Sequence, residues 1–225
     1  MTLGSVQTSI IIPAFNEEVG LEVVLKKIFE VIDSSYEVVV VDDGSTDRTA
    51  SVASGFPCTV KIHDKNRGKG AAMKTGIANC HGENVIFIDA DDTYPVQVIP
   101  DIVKGLDAFD MVVCSRSKGQ SNVPLFNRLG NAIFRFMIRT LSGFGPKDPL
   151  TGLYGLKTKY LKTLHLQSRG FGIETEIAIK VSKMKLKILD IPIEYHSRIG
   201  KAKLHWLVDG SKIMYTIFKV WIEFR

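Results

Sequence analysis

The sequence predicts an α/β domain: a mainly parallel central sheet flanked by helices. Three observations carry this reading. Short continuous apolar runs recur through the first half, as strands buried on both faces do. Segments with helical apolar spacing separate them. Polar clusters follow the runs where the carboxyl edge of such a sheet would lie, the edge at which open α/β sheets bind ligands.

In chain order, Ser9–Pro13 reads as the first strand, and Glu17 to Ile32 as a helix with Leu21, Val24, Leu25, Ile28 and Ile32 on one face. Glu37–Val41 is the second strand, Thr46–Ala53 a short helix and Cys58–His63 a third strand. Lys69–Asn79 is a helix with a small-residue face, Val85–Ile88 the fourth strand and Met111–Cys114 the fifth. The second half changes character. Pro124–Leu141 is one amphipathic helix, Gly143–Gly152 a loop, Ile173–Met184 a helix, Ile188–Tyr195 a strand and Leu204–Arg225 a final amphipathic helix. With no repeat or linker, residues 1–203 read as one domain and 204–225 as a C-terminal amphipathic helix.

Composition narrows the function classes. The 225 residues are 45% hydrophobic and 24% charged, which excludes a disordered or collagen-like chain and suffices for one sizeable core. Cys58, Cys80 and Cys114 form no C-x-x-C pair, so a disulfide scaffold or zinc finger is excluded and a reducing compartment fits. A net charge of +5 points to an anionic partner: nucleic acid, a phosphate-bearing substrate or an anionic lipid surface. Met1–Thr8 lacks the apolar core of a secretory leader. No run approaches the ~18–20 apolar residues that cross a bilayer, so any membrane contact is expected at the surface.

The chemistry-bearing residues sit after the strands. Asp89-Ala90-Asp91 would place two carboxylates on one side of an extended segment, a hard-oxygen site suited to Mg²⁺ or Mn²⁺ with nucleotide phosphates completing the shell. Aspartates are also ordinary turn and cap residues, and both readings stand. Asp42-Asp43-Gly44-Ser45 could cap a helix, accept N–H bonds from a nucleobase, or do both. Asn66-Arg67-Gly68-Lys69-Gly70 is a basic turn that could hold phosphate at a helix N-terminus, yet it matches neither the P-loop nor the dinucleotide fingerprint. Arg128, Arg135 and Arg139 share one helix face, which is either a solvated surface or a rim for an anion. Arg198 and Lys203 flank Gly200 in a second basic loop. On the last helix, Lys212, Thr216, Lys219 and Glu223 oppose Ile213, Ile217, Val220, Trp221 and Phe224. That pattern predicts an in-plane membrane helix over 204–225, although the same pattern would dock a terminal helix onto a protein core or a dimer partner.

Taken together, four ordered blocks resemble the family 2 glycosyltransferases of the GT-A, Rossmann-like fold. They are Ile12–Glu18, Val41–Asp47, Asn66–Gly70 and Asp89–Asp91. Later blocks resemble the polyprenyl-phosphate sugar synthases of the dolichyl-phosphate mannose and glucose type: Cys114–Arg116, Asp148–Leu153, Gly170–Glu176 and Ile191–Leu204. The resemblance implies that Pro13, Glu17, Asp42, Asp43, Lys69, Asp89 and Asp91 bind the nucleotide-sugar, and that Asp89 and Asp91 hold Mg²⁺ or Mn²⁺. Asp91 and Arg116 would be catalytic. Arg116, Arg128, Arg198 and Lys203 would hold the acceptor phosphate or the donor diphosphate. It further implies transfer of one hexose, with inversion, from GDP-mannose, UDP-glucose or UDP-N-acetylglucosamine to dolichyl or polyprenyl phosphate. The implied setting is the cytoplasmic face of a membrane, bound peripherally, with no nucleic-acid partner. Thr93 stands where mannose synthases often carry Gln, and the arginine of Pro124–Arg128 falls one place late, which loosens the sugar but not the reaction class. A nucleotidyltransferase and a non-catalytic nucleotide-binding module are the alternatives.

Overall fold

The computed structural model describes residues 6–118, 125–200, 203 and 206–223. A seven-stranded sheet runs in the order β3-β2-β1-β4-β6-β5-β7. Its strands are β1 (Thr8–Ala14), β2 (Tyr36–Asp42), β3 (Thr59–Ile62), β4 (Asn84–Phe87), β5 (Met111–Lys118), β6 (Tyr154–Lys157) and β7 (Ile188–Glu194). Every pairing is parallel except those of β6, which lies antiparallel between β4 and β5. The predicted, mainly parallel α/β architecture is therefore the one observed. The four-residue β6 is an addition that the apolar runs did not announce.

Both faces of the sheet are covered, which is why its central strands carry no polar alternation. Ile10, Ile12, Val38 and Val40 point into one core with Leu21, Val24, Leu25 and Ile28 of α1 (Glu18–Val31) and Ile99, Ile102 and Leu106 of α4 (Ile99–Ala108). Ile11, Val39 and Val41 point the other way. There they meet Ala72 and Met73 of α3 (Lys69–Ala78), Leu161 of α6 (Thr158–Thr163) and Ile173, Ile177 and Val181 of α7 (Ile173–Lys183). The short α2 (Thr49–Ser54) packs against α1.

A third, smaller core joins α5 (Leu125–Ser142), α7 and α8 (Trp206–Glu223) through Ile138, Ile179, Ile213, Ile217 and Val220. This corrects the expected lipid-facing set of α8. Ile213, Ile217 and Val220 are buried against α5 and α7, so protein rather than lipid covers them. A different apolar stripe faces solvent: Val208, Tyr215 and Ile222, seven residues apart, with Phe218 beside them. On α5, Ile133 and Phe136 are exposed next to the exposed Arg135 and Arg139. Phe224 and the side chain of Arg128 lie outside the described residues. Among the described residues no helix is long and apolar enough to cross a membrane.

Candidate active site

The carboxyl ends of β1, β2 and β4 bring the predicted acidic groups to one edge. Beyond β4 the chain leaves the extended conformation. Ala90 and Asp91 form a turn, and Asp92 follows at φ +60°. The two D-x-D carboxylates therefore do not simply share a side; each meets its own cation. Asp89 Oδ1 lies 2.6 Å from Lys69 Nζ, and Asp91 Oδ2 lies 2.5 Å from Arg198 Nη2. The turn is pressed against α1 at Gly20, where an added Cβ would stand 2.5 Å from the Ala90 carbonyl oxygen. A Cβ on Gly152 would collide with the Asp89 carboxylate, so the loop before β6 wedges that side chain in place.

Asp91 is almost fully buried. Its Oδ1 accepts hydrogen bonds from the Thr93 hydroxyl (2.6 Å) and backbone N–H (3.2 Å). Burial and then the neighbouring Asp89 charge push its carboxyl above the ordinary range, with Arg198 opposing both. Glu17, at the start of α1, behaves alike. Burial raises it, while Lys203 (3.3 Å) and Arg198 (3.4 Å) partly offset the effect. The basic loop is tied directly to this turn, with Ile199 N–H donating to the Asp91 carbonyl and His196 N–H to that of Thr93. Lys203 also donates to the Asn16 carbonyl at 2.8 Å.

Asp43 and the Asn66–Gly70 turn meet one another. Asp43 accepts from the backbone N–H groups of Gly68 (2.7 Å) and Arg67 (3.0 Å), and its Oδ1 lies 2.6 Å from His63 Nδ1. Gly68 adopts φ +95°, which a side chain would strain. The amides at the start of α3 thus hold a carboxylate of this chain, where phosphate had been an expected occupant. Asp42 bonds the Ser45 hydroxyl and backbone N–H. Pro13 lies in β1 opposite Val41.

Arg116 grips Asp148 in a two-pronged pair, Nε–Oδ2 2.7 Å and Nη2–Oδ1 2.8 Å. Its guanidinium also lies 5.5 Å from the centre of the Tyr195 ring. Tyr195 in turn stands edge-on to Tyr94, whose hydroxyl accepts the Gly152 N–H at 2.6 Å. Arg116 is thus linked by packing to the loop that wedges Asp89. Its role toward a phosphate would be played from within this pair.

Sequence reasoning missed three contributors. His63 orients Asp43. Lys27 pairs with Asp92 at 2.6 Å. Glu174 lies 2.6 Å from Lys69 Nζ, on the far side from Asp89. A lone histidine ending a strand is not a specific signal, and although Glu174 lies in the Gly170–Glu176 block that carries the resemblance, the block names no partner for it.

Among the described residues no cluster of three or more His, Cys, Asp or Glu side chains is placed to hold a metal ion. The chemistry of the pair still fits a hard divalent cation. Two neighbouring carboxylates, one raised by burial and then by the other's charge, gain from any added positive charge, and oxygen atoms of a bound diphosphate would complete a shell.

Comparison with known proteins decides the family. The pattern described as Glycosyl transferase family 2 matches residues 9–176. The chain belongs to family 2 of the glycosyltransferases. A dolichyl-phosphate hexose transferase of Haloferax volcanii is 31% identical over 96% of this chain and 95% of its own. A dolichol-phosphate mannosyltransferase of Pyrococcus furiosus is 31% identical over 88% of this chain and 59% of its own. Among solved structures, the glucosyl-3-phosphoglycerate synthase of Mycobacterium tuberculosis, in complex with Mn²⁺, UDP and its product, superposes with a TM-score of 0.75. It is 23% identical and covers 96% of this chain and 80% of its own. That likeness establishes the GT-A fold of this glycosyltransferase. The acidic edge and its cationic loop accordingly belong to a sugar-transferring enzyme.

Proposed function

We propose that this glycosyltransferase moves one hexose from a nucleotide-sugar to a polyprenyl phosphate, with inversion at the anomeric carbon. One observation carries the reading: Arg198 and Lys203 lie on a single loop that reaches the buried carboxylates of both β1 and β4. Such an edge can bring two anions, a diphosphate and a phosphate monoester, within reaction distance. A relative named for dolichyl-phosphate hexose transfer, matching nearly end to end, supports the same acceptor.

The bond changes are simple. An oxygen of the acceptor phosphate attacks the anomeric carbon as the bond from that carbon to the diphosphate oxygen breaks, and the nucleoside diphosphate leaves. A phosphate monoester has its second pKa near ~6, so it arrives mostly as a dianion and needs no strong general base. In this reading Pro13, Glu17, Asp42 and Asp43 border the nucleotide. Arg116, Arg198 and Lys203 orient the phosphates electrostatically. When bound by Asp89 and Asp91, Mg²⁺ or Mn²⁺ would supply Lewis-acid neutralisation of the leaving diphosphate. Wedging by Gly152 and α1 keeps the two carboxylates from swinging away.

The acceptor lives in a bilayer, and a docking face is available for it. Val208, Tyr215, Phe218 and Ile222 of α8, with Ile133 and Phe136 of α5, form the lipid-facing set in this reading. Arg135 and Arg139 add attraction to anionic headgroups of the cytoplasmic leaflet, about 1 kcal/mol per charge near the surface. A donor panel of GDP-mannose, UDP-glucose and UDP-N-acetylglucosamine with a short polyprenyl phosphate tests the proposal. One donor is expected to give a polyprenyl-phosphate sugar and one equivalent of nucleoside diphosphate. Release of pyrophosphate from sugar 1-phosphate and NTP would instead favour a nucleotidyltransferase.

A further inference from the structure

We propose that Glu174 is a positioning residue that sets the charge of the donor site through Lys69. The inference rests on the donor-site reading of Asp89 and Asp91 and deepens it. Lys69 Nζ stands between two carboxylates, 2.6 Å from Asp89 Oδ1 and 2.6 Å from Glu174 Oε1. Glu174 is 6% exposed and lies in the first turn of α7, a helix packed beneath the sheet. The three groups come from three separate segments: the turn after β4, the first residue of α3 and the first turn of α7.

The charge arithmetic gives the arrangement its purpose. With Asp89 alone, Lys69 would neutralise the carboxylate fully, and a neutral pair has little attraction for a cation. With Glu174 ionised the triad carries a net charge of −1, shared with the carboxylate facing the site; burial acts to raise the Glu174 carboxyl, and Lys69 at 2.6 Å acts to lower it. The Tyr154 hydroxyl lies buried beside this group with no hydrogen-bond partner. Burial, then Glu174 and Asp89, push its phenol well above the usual range, so it adds no charge. Glu174 therefore lets one lysine fix the geometry of Asp89 without cancelling its charge.

Three variants test this, read by Mn²⁺ titration followed by electron paramagnetic resonance, with the unfolding temperature measured alongside. Glu174→Gln keeps shape and hydrogen bonding but removes the charge. It should weaken Mn²⁺ binding about tenfold while the unfolding temperature stays near wild type. Glu174→Asp restores the charge and should bring affinity back to within about threefold. Equal affinity in wild type and Glu174→Gln overturns the proposal, as does a loss that Glu174→Asp fails to repair. Asp91→Asn separates this from failure of the underlying reading. If wild type and Asp91→Asn bind Mn²⁺ equally, the metal does not sit at the D-x-D turn, and both readings fall together.

Discussion

Arg198 spans Asp91 and Glu17 with one guanidinium, Nη2 at 2.5 Å from the first and Nη1 at 3.4 Å from the second. Lys203 reaches the same Glu17 oxygen at 3.3 Å. The loop thus holds, as its own counter-anions, the carboxylates proposed to meet the donor. Replacing both cations with Ala should raise the KM for nucleotide-sugar about tenfold or more. Both cations are partly exposed, but their partners Glu17 and Asp91 are buried, so stability should fall as well, by up to about 3 kcal/mol. Steady-state kinetics with wild-type KM and kcat for both substrates would remove the loop from the account.

Asp91→Asn should lower kcat by roughly 10²–10³, because a group that compensates the leaving diphosphate loses its charge. The Thr93 hydrogen bonds to Oδ1 remain available to the amide oxygen, so the fold should survive. Turnover measured with and without EDTA reads the effect. Undiminished turnover of this variant in EDTA would count against a metal-assisted donor site.

Where the sequence was legible, the reason is local. Ile10–Ile12 and Val38–Val41 are buried from both sides, so an unbroken apolar run was enough to mark β1 and β2. Tyr154–Lys157 becomes a strand only because β4 and β5 pair with it from both sides, and four residues around Gly155 carry no such mark. The same division runs through the site. Asp89, Asp91, Arg198 and Lys203 were identifiable from their blocks, whereas the partner of each is set by tertiary contact. Lys69 was expected at the donor; its second bond to Glu174 joins segments that nothing in the sequence links. On α8 the helical projection grouped Ile213, Ile217 and Val220, which are buried together, but it put the buried Thr216 on the polar face and did not reveal which body would cover the apolar one.

Asp148 supplies a pH test. Burial acts to raise its carboxyl, but the Arg116 guanidinium more than offsets this and leaves it below its ordinary 3.8. A depressed native value means the unfolded chain binds the proton more readily. The pair's stabilisation is then complete above that ordinary value and is lost as pH falls through the native one. Asp148→Asn should cost about 3 kcal/mol at neutral pH, as breaking a buried pair does. Urea unfolding below pH ~4 should show a shallower loss of stability in the variant than in wild type. Parallel curves would mean that the pair does not titrate with folding.

Tyr215→Asp with Phe218→Asp should abolish flotation on anionic vesicles and leave the unfolding temperature nearly unchanged, since both side chains face solvent. Ile217→Asp should instead unfold the third core, because Ile217 is fully buried among α5, α7 and α8. A double variant that floats as well as wild type would place lipid contact elsewhere.

The account's central claim is that the acceptor is a polyprenyl phosphate. The most direct measurement offers the enzyme one labelled nucleotide-sugar with two acceptors in competition, a short polyprenyl phosphate and 3-phosphoglycerate, in the presence of Mg²⁺. The account predicts label in the organic phase as a polyprenyl-phosphate hexose of inverted anomeric configuration, matched one to one by nucleoside diphosphate. Label that passes only to the water-soluble acceptor would contradict it.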